Sequence, residues 1–122
     1  GVDDSFAVFS GEDTLLPVHL AAGAKGGIVV TASLLPTAWR KVYELASQGR
    51  TRESMALHRR LIPLMNLAFA ETNPGPMKSV MDLIGVNAPE VLDPLVPPAD
   101  GLQAALRKEL IPLLKEFEGI NP

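Results

Sequence analysis

Two short apolar runs joined by one helical segment constrain the fold of this chain more than any other feature. Residues 6–9 (Phe-Ala-Val-Phe) form the first run, and residues 27–31 (Gly-Ile-Val-Val-Thr) form the second. Neither run alternates apolar with polar residues, so each is expected to be a strand covered on both faces, as in parallel sheets. Residues 13–22 suit a helix that Gly23 ends, with Pro17 in or near its first turn. The sequence therefore predicts one βαβ unit.

A sheet of only two parallel strands leaves backbone groups unpaired on both outer edges, so a larger α/β domain is expected, with its other strands upstream. The chain also begins with Gly1 rather than Met, a few residues before the first run. We predict the last two β/α units of a (β/α)8 TIM barrel over residues 1–49 and a C-terminal helical region over residues 50–122. A flavodoxin-like or Rossmann sheet competes, but no Gly-x-Gly-x-x-Gly motif follows either strand.

Helices dominate after residue 36. Trp39, Val42, Tyr43 and Ala46 recur at helical spacing before Gly49, which is expected to end that helix. Thr51 is expected to cap the next helix, and Pro63 in its interior is expected to kink it. Pro76 is expected to open a further helix with Met77, Val80, Met81 and Ile84 on one face. A capping box from Asp100 to Gln103 is expected before the last helix. Residues 86–98 contain four prolines and are expected to be extended.

Composition excludes several classes of function. Hydrophobic residues make up 47% and charged residues 20% of the 122 residues, which is typical of a folded protein. The formal net charge of −3 argues against a nucleic-acid partner. The absence of cysteine excludes thiolate chemistry and suits the cytoplasm, and no apolar run is long enough to span a membrane. We expect no metal and no organic cofactor.

No lysine in the chain is a good candidate for a catalytic amine. Lys25 precedes the second strand, on the face opposite the usual active site of a barrel, and the other four lysines lie on predicted helices, where they are expected to be solvated: Lys41, Lys78, Lys108 and Lys115. The segment 23–27 precedes a strand instead of opening a helix, so it does not fit a phosphate-binding loop.

Other candidate side chains are also weak. Tyr43 shares a helix face with Trp39, which favours a core or interface role. His19 and His58 lack partners at a meaningful spacing. Glu12 and Asp13 follow a strand end and are equally consistent with a site or with capping a helix. Gly11 lies where backbone could approach a ligand closely, or where a turn needs a positive φ.

Four segments carry a resemblance to a known family. They are residues 9–13 (Phe-Ser-Gly-Glu-Asp), 23–32 (Gly-Ala-Lys-Gly-Gly-Ile-Val-Val-Thr-Ala), 60–64 (Arg-Leu-Ile-Pro-Leu) and 71–78 (Glu-Thr-Asn-Pro-Gly-Pro-Met-Lys). Their order and spacing resemble the dihydrodipicolinate synthase and N-acetylneuraminate lyase family of class I pyruvate-dependent aldolases, C-terminal portion only. Gly75 departs from the usual Asn-Pro-Ile-Pro, and the last helix is expected to continue to Phe117, so the subfamily and its aldehyde stay open.

The resemblance implies a TIM barrel in which a lysine on strand six forms a Schiff base with pyruvate, aided by a tyrosine on strand five. Both strands would precede Gly1, so the chain alone is expected to be inactive and to contain no catalytic residue. The family also implies that Ile28 and Gly11 contact pyruvate, that an aldehyde is the second substrate, and that the protein assembles as a homotetramer. The alternative is a non-catalytic scaffold or oligomerisation module.

Overall fold

A computed structural model describes residue 3 and residues 5–122. Residues 1, 2 and 4 of the predicted first unit lie outside the described residues. The described part is an α/β structure in which helices far outnumber strands. Its regular elements are β1 (Phe9–Ser10), α1 (Leu16–Ala21), β2 (Gly26–Gly27), α2 (Pro36–Ser47), α3 (Thr51–Ala68), α4 (Gly75–Lys78) and α5 (Asp100–Leu113). Short 3-10 turns span Asp13–Leu15, Val30–Ser33 and Met81–Ile84, and a π-helical turn, Leu114–Glu118, follows α5.

The two strands pair in parallel, as the sequence predicts. Phe9 is opposite Gly26 and Ser10 is opposite Gly27. The predicted strand boundaries were wrong, because the paired ladder is only two residues long in each strand. The second strand stops early since Val30 begins a 3-10 turn instead of continuing the ladder.

The helix between the strands begins later than predicted. Glu12 caps a 3-10 turn by accepting a hydrogen bond from the Thr14 backbone N–H, and α1 follows that turn. Pro17 lies in the first turn of α1, as predicted. Gly23 ends the helix with a φ of 105°, a conformation that glycine adopts without a steric penalty.

Helices α2 and α3 form an antiparallel pair joined at Gly49, whose φ is 74°. Trp39 and Val42 are buried on α2, as predicted, whereas Tyr43 is 41% exposed. The predicted cap was wrong: α3 begins at Thr51 itself, after Arg50, and the cap has no side-chain hydrogen bond. The N–H groups of Glu53 and Ser54 both donate to the carbonyl of Arg50.

The C-terminal region departs from prediction at two helix starts. The segment opened by Pro76 splits into α4 and a 3-10 turn, so Met77 and Val80 are buried, whereas Met81 and Ile84 are only partly buried. The predicted capping box was also wrong. Gln103 donates its side-chain amide to the carbonyl of Pro98 rather than to a cap, which draws the preceding strap of residues 86–98 onto α5. That strap contains neither helix nor strand.

One apolar core joins the βαβ unit to the helices that follow it. Its buried members come from every helix, and they include Leu16, Leu35, Trp39, Val42, Leu61, Leu64, Met65, Met77, Leu106 and Leu110. Burial of these side chains at about 1.5–3 kcal/mol each is the main stabilising contribution. Helix α1 packs against both β1 and β2.

An ion pair between α5 and the 3-10 turn after α4 gives a pH-dependent prediction. Arg107 donates to Asp82 at 2.7 Å, and this hydrogen bond holds the pKa of the Asp82 carboxyl below its usual value of 3.8. A lowered pKa in the folded state stabilises the protein above the unfolded value, and that stabilisation is lost as pH falls through the folded value. We expect Asp82→Asn to be less stable than the wild type at pH 7 by under about 1 kcal/mol, because the pair is partly exposed.

Below the folded-state pKa of Asp82 the two proteins should unfold at the same urea concentration. Urea titrations followed by circular dichroism at pH 7 and at strongly acidic pH measure this difference. An Asp82→Asn deficit that persists unchanged at acidic pH would show that the carboxylate charge is not the cause.

Candidate functional site

The ends of β1 and β2 bring together Gly11 and Ile28, the two residues that the family resemblance implies as substrate contacts. Since Ser10 is opposite Gly27, Gly11 and Ile28 are each the next residue along parallel neighbours. The Ile28 N–H donates to the Ser10 carbonyl at 2.8 Å, which fixes this register. Both residues are exposed, and Ile28 is 79% exposed. The carboxyl ends of adjacent parallel strands are the usual place for a site in α/β proteins.

Gly11 does not need to be glycine for backbone reasons. Its φ is not positive. The described glycines that do have a positive φ are Gly23, Gly49, Gly85 and Gly119. A Cβ atom built on Gly11 meets no atom of the described chain within 4 Å. The turn explanation for this glycine is therefore wrong, and the space beside it is open.

Asp13 lies two residues beyond Gly11 and is only 1% exposed. Its carboxylate accepts hydrogen bonds from the N–H of Val30 and from the N–H and hydroxyl of Thr31, at 2.8, 2.8 and 2.6 Å. These bonds connect the turn after β1 to the turn after β2. The sequence is equally consistent with a site role and with a capping role for Asp13. In the structure the Asp13 carboxylate caps the distant 3-10 turn Val30–Ser33.

Trp39 and His58 complete this buried polar cluster. The Trp39 indole N–H donates to the Thr31 hydroxyl at 3.0 Å, and the His58 Nε2 lies 2.8 Å from the Asp13 carbonyl oxygen. Because a carbonyl oxygen only accepts, His58 donates through Nε2. The His58 ring also meets Trp39 edge-on, with centroids 5.6 Å apart. Sequence spacing could not reveal these partners of His58, which lies 45 positions from Asp13.

Glu12 and Ser10 make local contacts around the same turn. Hydrogen bonds from the hydroxyl and N–H of Thr14 hold the pKa of the Glu12 carboxyl below its usual value. The Ser10 hydroxyl lies 2.8 Å from Nδ1 of His19, so His19 has a partner that its isolation in the sequence did not suggest. The Ser10 hydroxyl also donates to the Glu12 carbonyl oxygen at 3.3 Å, a contact within the turn after β1.

Lys78 differs from its predicted environment. Lys25, Lys41, Lys108 and Lys115 are exposed, as expected for solvated residues, but Lys78 is half-buried. Its side chain lines a cavity of about 330 Å³ that Ile28 also lines, and its ammonium donates to the carbonyl of Glu90. Lys78 therefore shares a cavity with Ile28, and Lys25 shares another with Gly11.

Residues 3 and 5–122 contain no cluster of three or more metal-ligating side chains among His, Cys, Asp and Glu. Among these residues, none of the helices combines the length and the apolar character that a membrane span needs.

The Tyr43 hydroxyl donates a hydrogen bond to the Lys25 carbonyl at 3.2 Å, which connects α2 to the residue before β2.

Comparison with known proteins decides the family. The family model described as the dihydrodipicolinate synthetase family matches residues 1–112. The chain belongs to this family. The sequence resemblance is thereby confirmed, including its restriction to the C-terminal portion.

Individual members of the dihydrodipicolinate synthetase family agree with this assignment. The chain is 36% identical to the 4-hydroxy-tetrahydrodipicolinate synthase of Methanosarcina mazei over 109 residues, which cover 89% of this chain and 38% of that protein. It also resembles the crystal structure of dihydrodipicolinate synthase from Thermotoga maritima, with a TM-score of 0.82 and 35% identity over 91% of this chain and 36% of the other. The Aquifex aeolicus enzyme gives a TM-score of 0.83 at 31% identity, over 94% of this chain and 38% of the other. The chain therefore spans less than two fifths of the length of these relatives.

Proposed function

We propose that this chain is the C-terminal part of a lyase that forms a lysine Schiff base with pyruvate for aldol condensation or cleavage. In this proposal residues 1–49 are the last two β/α units of a TIM barrel and residues 50–122 are its helical extension. The reactive lysine and an assisting tyrosine belong to strands outside these residues. The backbone at Gly11 and Ile28 lines the pyruvate pocket, and the second substrate is an aldehyde.

The register of β1 and β2 is the observation that carries the proposal. It sets Gly11 and Ile28 side by side at the carboxyl ends of parallel strands, with open space beside them. In a barrel those ends face the active site. The family relationship supports the same arrangement, because the family model matches residues 1–112, which include both strands.

Exposed apolar side chains around the two strands support the barrel. Phe6 and Phe9 are 60% and 56% exposed, and Val8 and Ile28 are exposed as well. Apolar strand residues in parallel sheets are normally covered on both faces. Cavities of about 580 and 430 Å³ also open beside Phe9. Further strands and helices of a barrel would cover these side chains and fill this space.

The proposed chemistry places no acid, base or nucleophile on this chain. An amine adds to the ketone carbon of pyruvate and water leaves, which gives an imine, and loss of a methyl proton then gives an enamine that attacks the aldehyde. In our proposal this chain holds the pyruvate through backbone at two strand ends while the rest of the barrel supplies the amine. The cytoplasm is the expected location.

Borohydride reduction tests the proposal. We define the barrel chimera as the Methanosarcina mazei relative in which this chain replaces the C-terminal segment that it matches. Pyruvate and borohydride should add one permanent pyruvyl group to the chimera, on a lysine outside these 122 residues, while the 122-residue chain alone stays unmodified. A chimera that takes no label, or a label on Lys25 or Lys78, would contradict the proposed mechanism.

Assembly is the alternative function, and one observation favours it. The strap and the helical region carry exposed apolar side chains, including Leu92 at 86% and Val96 at 73% exposure. A homo-oligomer would bury them. The mass of the 122-residue chain in solution, measured by light scattering, should exceed that of a monomer if this role is correct.

A further inference from the structure

We propose that Asp13 is a positioning residue that fixes the end of β1 against the end of β2 and thereby sets the shape of the pyruvate pocket. The inference rests on the proposed function, because it concerns the two strand ends assigned to pyruvate. It adds a side chain to a site that otherwise consists of backbone. Asp13 acts here through Gly11 and Ile28 and does not touch the substrate.

The Asp13 carboxylate closes a loop directly behind the two strand ends. Asp13 follows Gly11 by two residues. Its carboxylate oxygens accept from the N–H groups of Val30 and Thr31, which follow Ile28 by two and three residues. The strand ladder holds the same pair from the other side, where the Ile28 N–H donates to Ser10. Gly11 and Ile28 therefore lie between the backbone hydrogen bond from Ile28 to Ser10 and the bridge that the Asp13 carboxylate makes to Val30 and Thr31.

The carboxylate also decides where the second strand stops. The 3-10 turn Val30–Ser33 has Val29 as its N-cap, and Val29 offers no side-chain acceptor. The first N–H groups of such a turn need an acceptor from elsewhere, and a carboxylate also suits the positive end of the turn. Asp13 supplies both oxygens. Without them Val30 and Thr31 would have unpaired N–H groups, and the backbone at Ile28 would no longer have a fixed course.

The surroundings of Asp13 allow only one arrangement of these bonds. Thr31 accepts from the Trp39 indole through its hydroxyl oxygen, so the hydroxyl hydrogen points to Asp13. The carbonyl of Asp13 is held by His58 on α3. Asp13 is only 1% exposed and its carboxylate already accepts three hydrogen bonds, so it is shielded from a ligand at the strand ends. This burial separates a positioning role from a catalytic one.

Amide hydrogen exchange on the 122-residue chain tests the bridge without the rest of the barrel. Asparagine at position 13 presents one oxygen and one NH₂ group, so Asp13→Asn cannot accept from both sides. We expect the amides of Val30 and Thr31 to exchange at least about tenfold faster in Asp13→Asn, while amides of α3 and α5 stay protected. Unchanged exchange at both amides would overturn the inference.

Kinetics of the barrel chimera test the effect on the pocket. Asp13→Asn should raise the KM for pyruvate by about tenfold and change kcat by less than about threefold, because the pocket is misaligned and the amine is untouched. Thr31→Val removes one of the three bonds to the carboxylate and also the acceptor of the Trp39 indole N–H, and it should shift KM in the same direction. Thr31→Ser retains a hydroxyl and should restore the wild-type KM.

Ser54→Ala is the matched control. Ser54 is buried and donates to the Val42 carbonyl at 2.8 Å, so its loss removes a buried hydrogen bond away from the strand ends. Ser54→Ala should lower stability without changing the KM for pyruvate. An equal KM shift in Ser54→Ala, or a normal KM in both Asp13→Asn and Thr31→Val, would overturn the inference. A wild-type chimera that takes no pyruvyl label contradicts the proposed function instead, and the exchange experiment still decides on the bridge.

Discussion

Replacing Gly11 with valine is expected to reduce pyruvate labelling of the barrel chimera by about 100-fold, since a misplacement of about 1 Å near reacting groups can cost that much. The same change should leave the 122-residue chain folded and as stable as the wild type, within about 0.5 kcal/mol. Gly11 has no positive φ, and an added Cβ touches no atom of the described chain. The added Cβ therefore enters the open space beside the strand end, and the branched side chain extends into that space.

Gly101→Val is the control for this prediction. Gly101 also has open space for a Cβ and no positive φ, but it lies at the start of α5. Neither labelling nor stability should change in Gly101→Val. The rate of pyruvyl labelling by borohydride, measured by mass spectrometry, distinguishes the two variants. A Gly11→Val chimera that is labelled as fast as the wild type would exclude this strand end from the pocket.

Replacing Trp39 with alanine is expected to lower the free energy of unfolding of the 122-residue chain by about 3–5 kcal/mol. The indole is 4% exposed and belongs to the apolar core. Its N–H also donates a hydrogen bond to the Thr31 hydroxyl, and its ring packs against the His58 ring. Alanine would leave a cavity in the core and an incomplete polar cluster in the same place.

Two further variants separate these contributions of Trp39. Trp39→Phe keeps most of the apolar volume but removes the N–H donor, so we expect a loss of about 1–2 kcal/mol. Tyr43→Phe, one turn further along α2, removes an exposed hydroxyl contact and should cost under about 1 kcal/mol. Urea titrations followed by circular dichroism give all three values. A Trp39→Ala protein within about 1 kcal/mol of the wild type would show that this cluster is not central to the fold.

Local signals in the sequence were sufficient for the features that depend on local chemistry. Gly23 and Gly49 end helices because each adopts a positive φ that other residues resist. Two apolar runs without alternation predicted a parallel pair, and the pairing is parallel. Once that pairing is known, the adjacency of Gly11 and Ile28 follows from the direction of the strands.

Features that depend on distant partners could not be predicted. A 3-10 turn replaces the second half of the predicted strand after Val29, and an acid 17 and 18 positions earlier along the chain accepts from its first two N–H groups. His58 has no partner nearby in the sequence, yet it donates to the backbone of the same acid. The pattern from Asp100 to Gln103 fits a capping box, but the carbonyl of Pro98 competes successfully for the Gln103 side chain. The contacts of Asp13 and His58 are tertiary, whereas the Gln103 bond is a local one that replaces the bond expected in a capping box.

Lys78 illustrates the same limit at the candidate site. Helical spacing predicts a solvated lysine, but packing of the strap over α4 brings the carbonyl of Glu90 within reach of its ammonium. The stem of Lys78 then lines the cavity that Ile28 lines as well. Only the fold of the strap, which has no periodic pattern, determines this placement.

The structure of the borohydride-reduced pyruvyl adduct of the barrel chimera tests the role of the two strand ends most directly. The distance from the pyruvyl group to the backbone at Gly11 and Ile28 is the quantity to measure. We predict that both lie within about 4 Å of the group, the range of direct contact. A pyruvyl group bound elsewhere, with both strand ends facing solvent or protein alone, would contradict the assignment of these residues to the pocket.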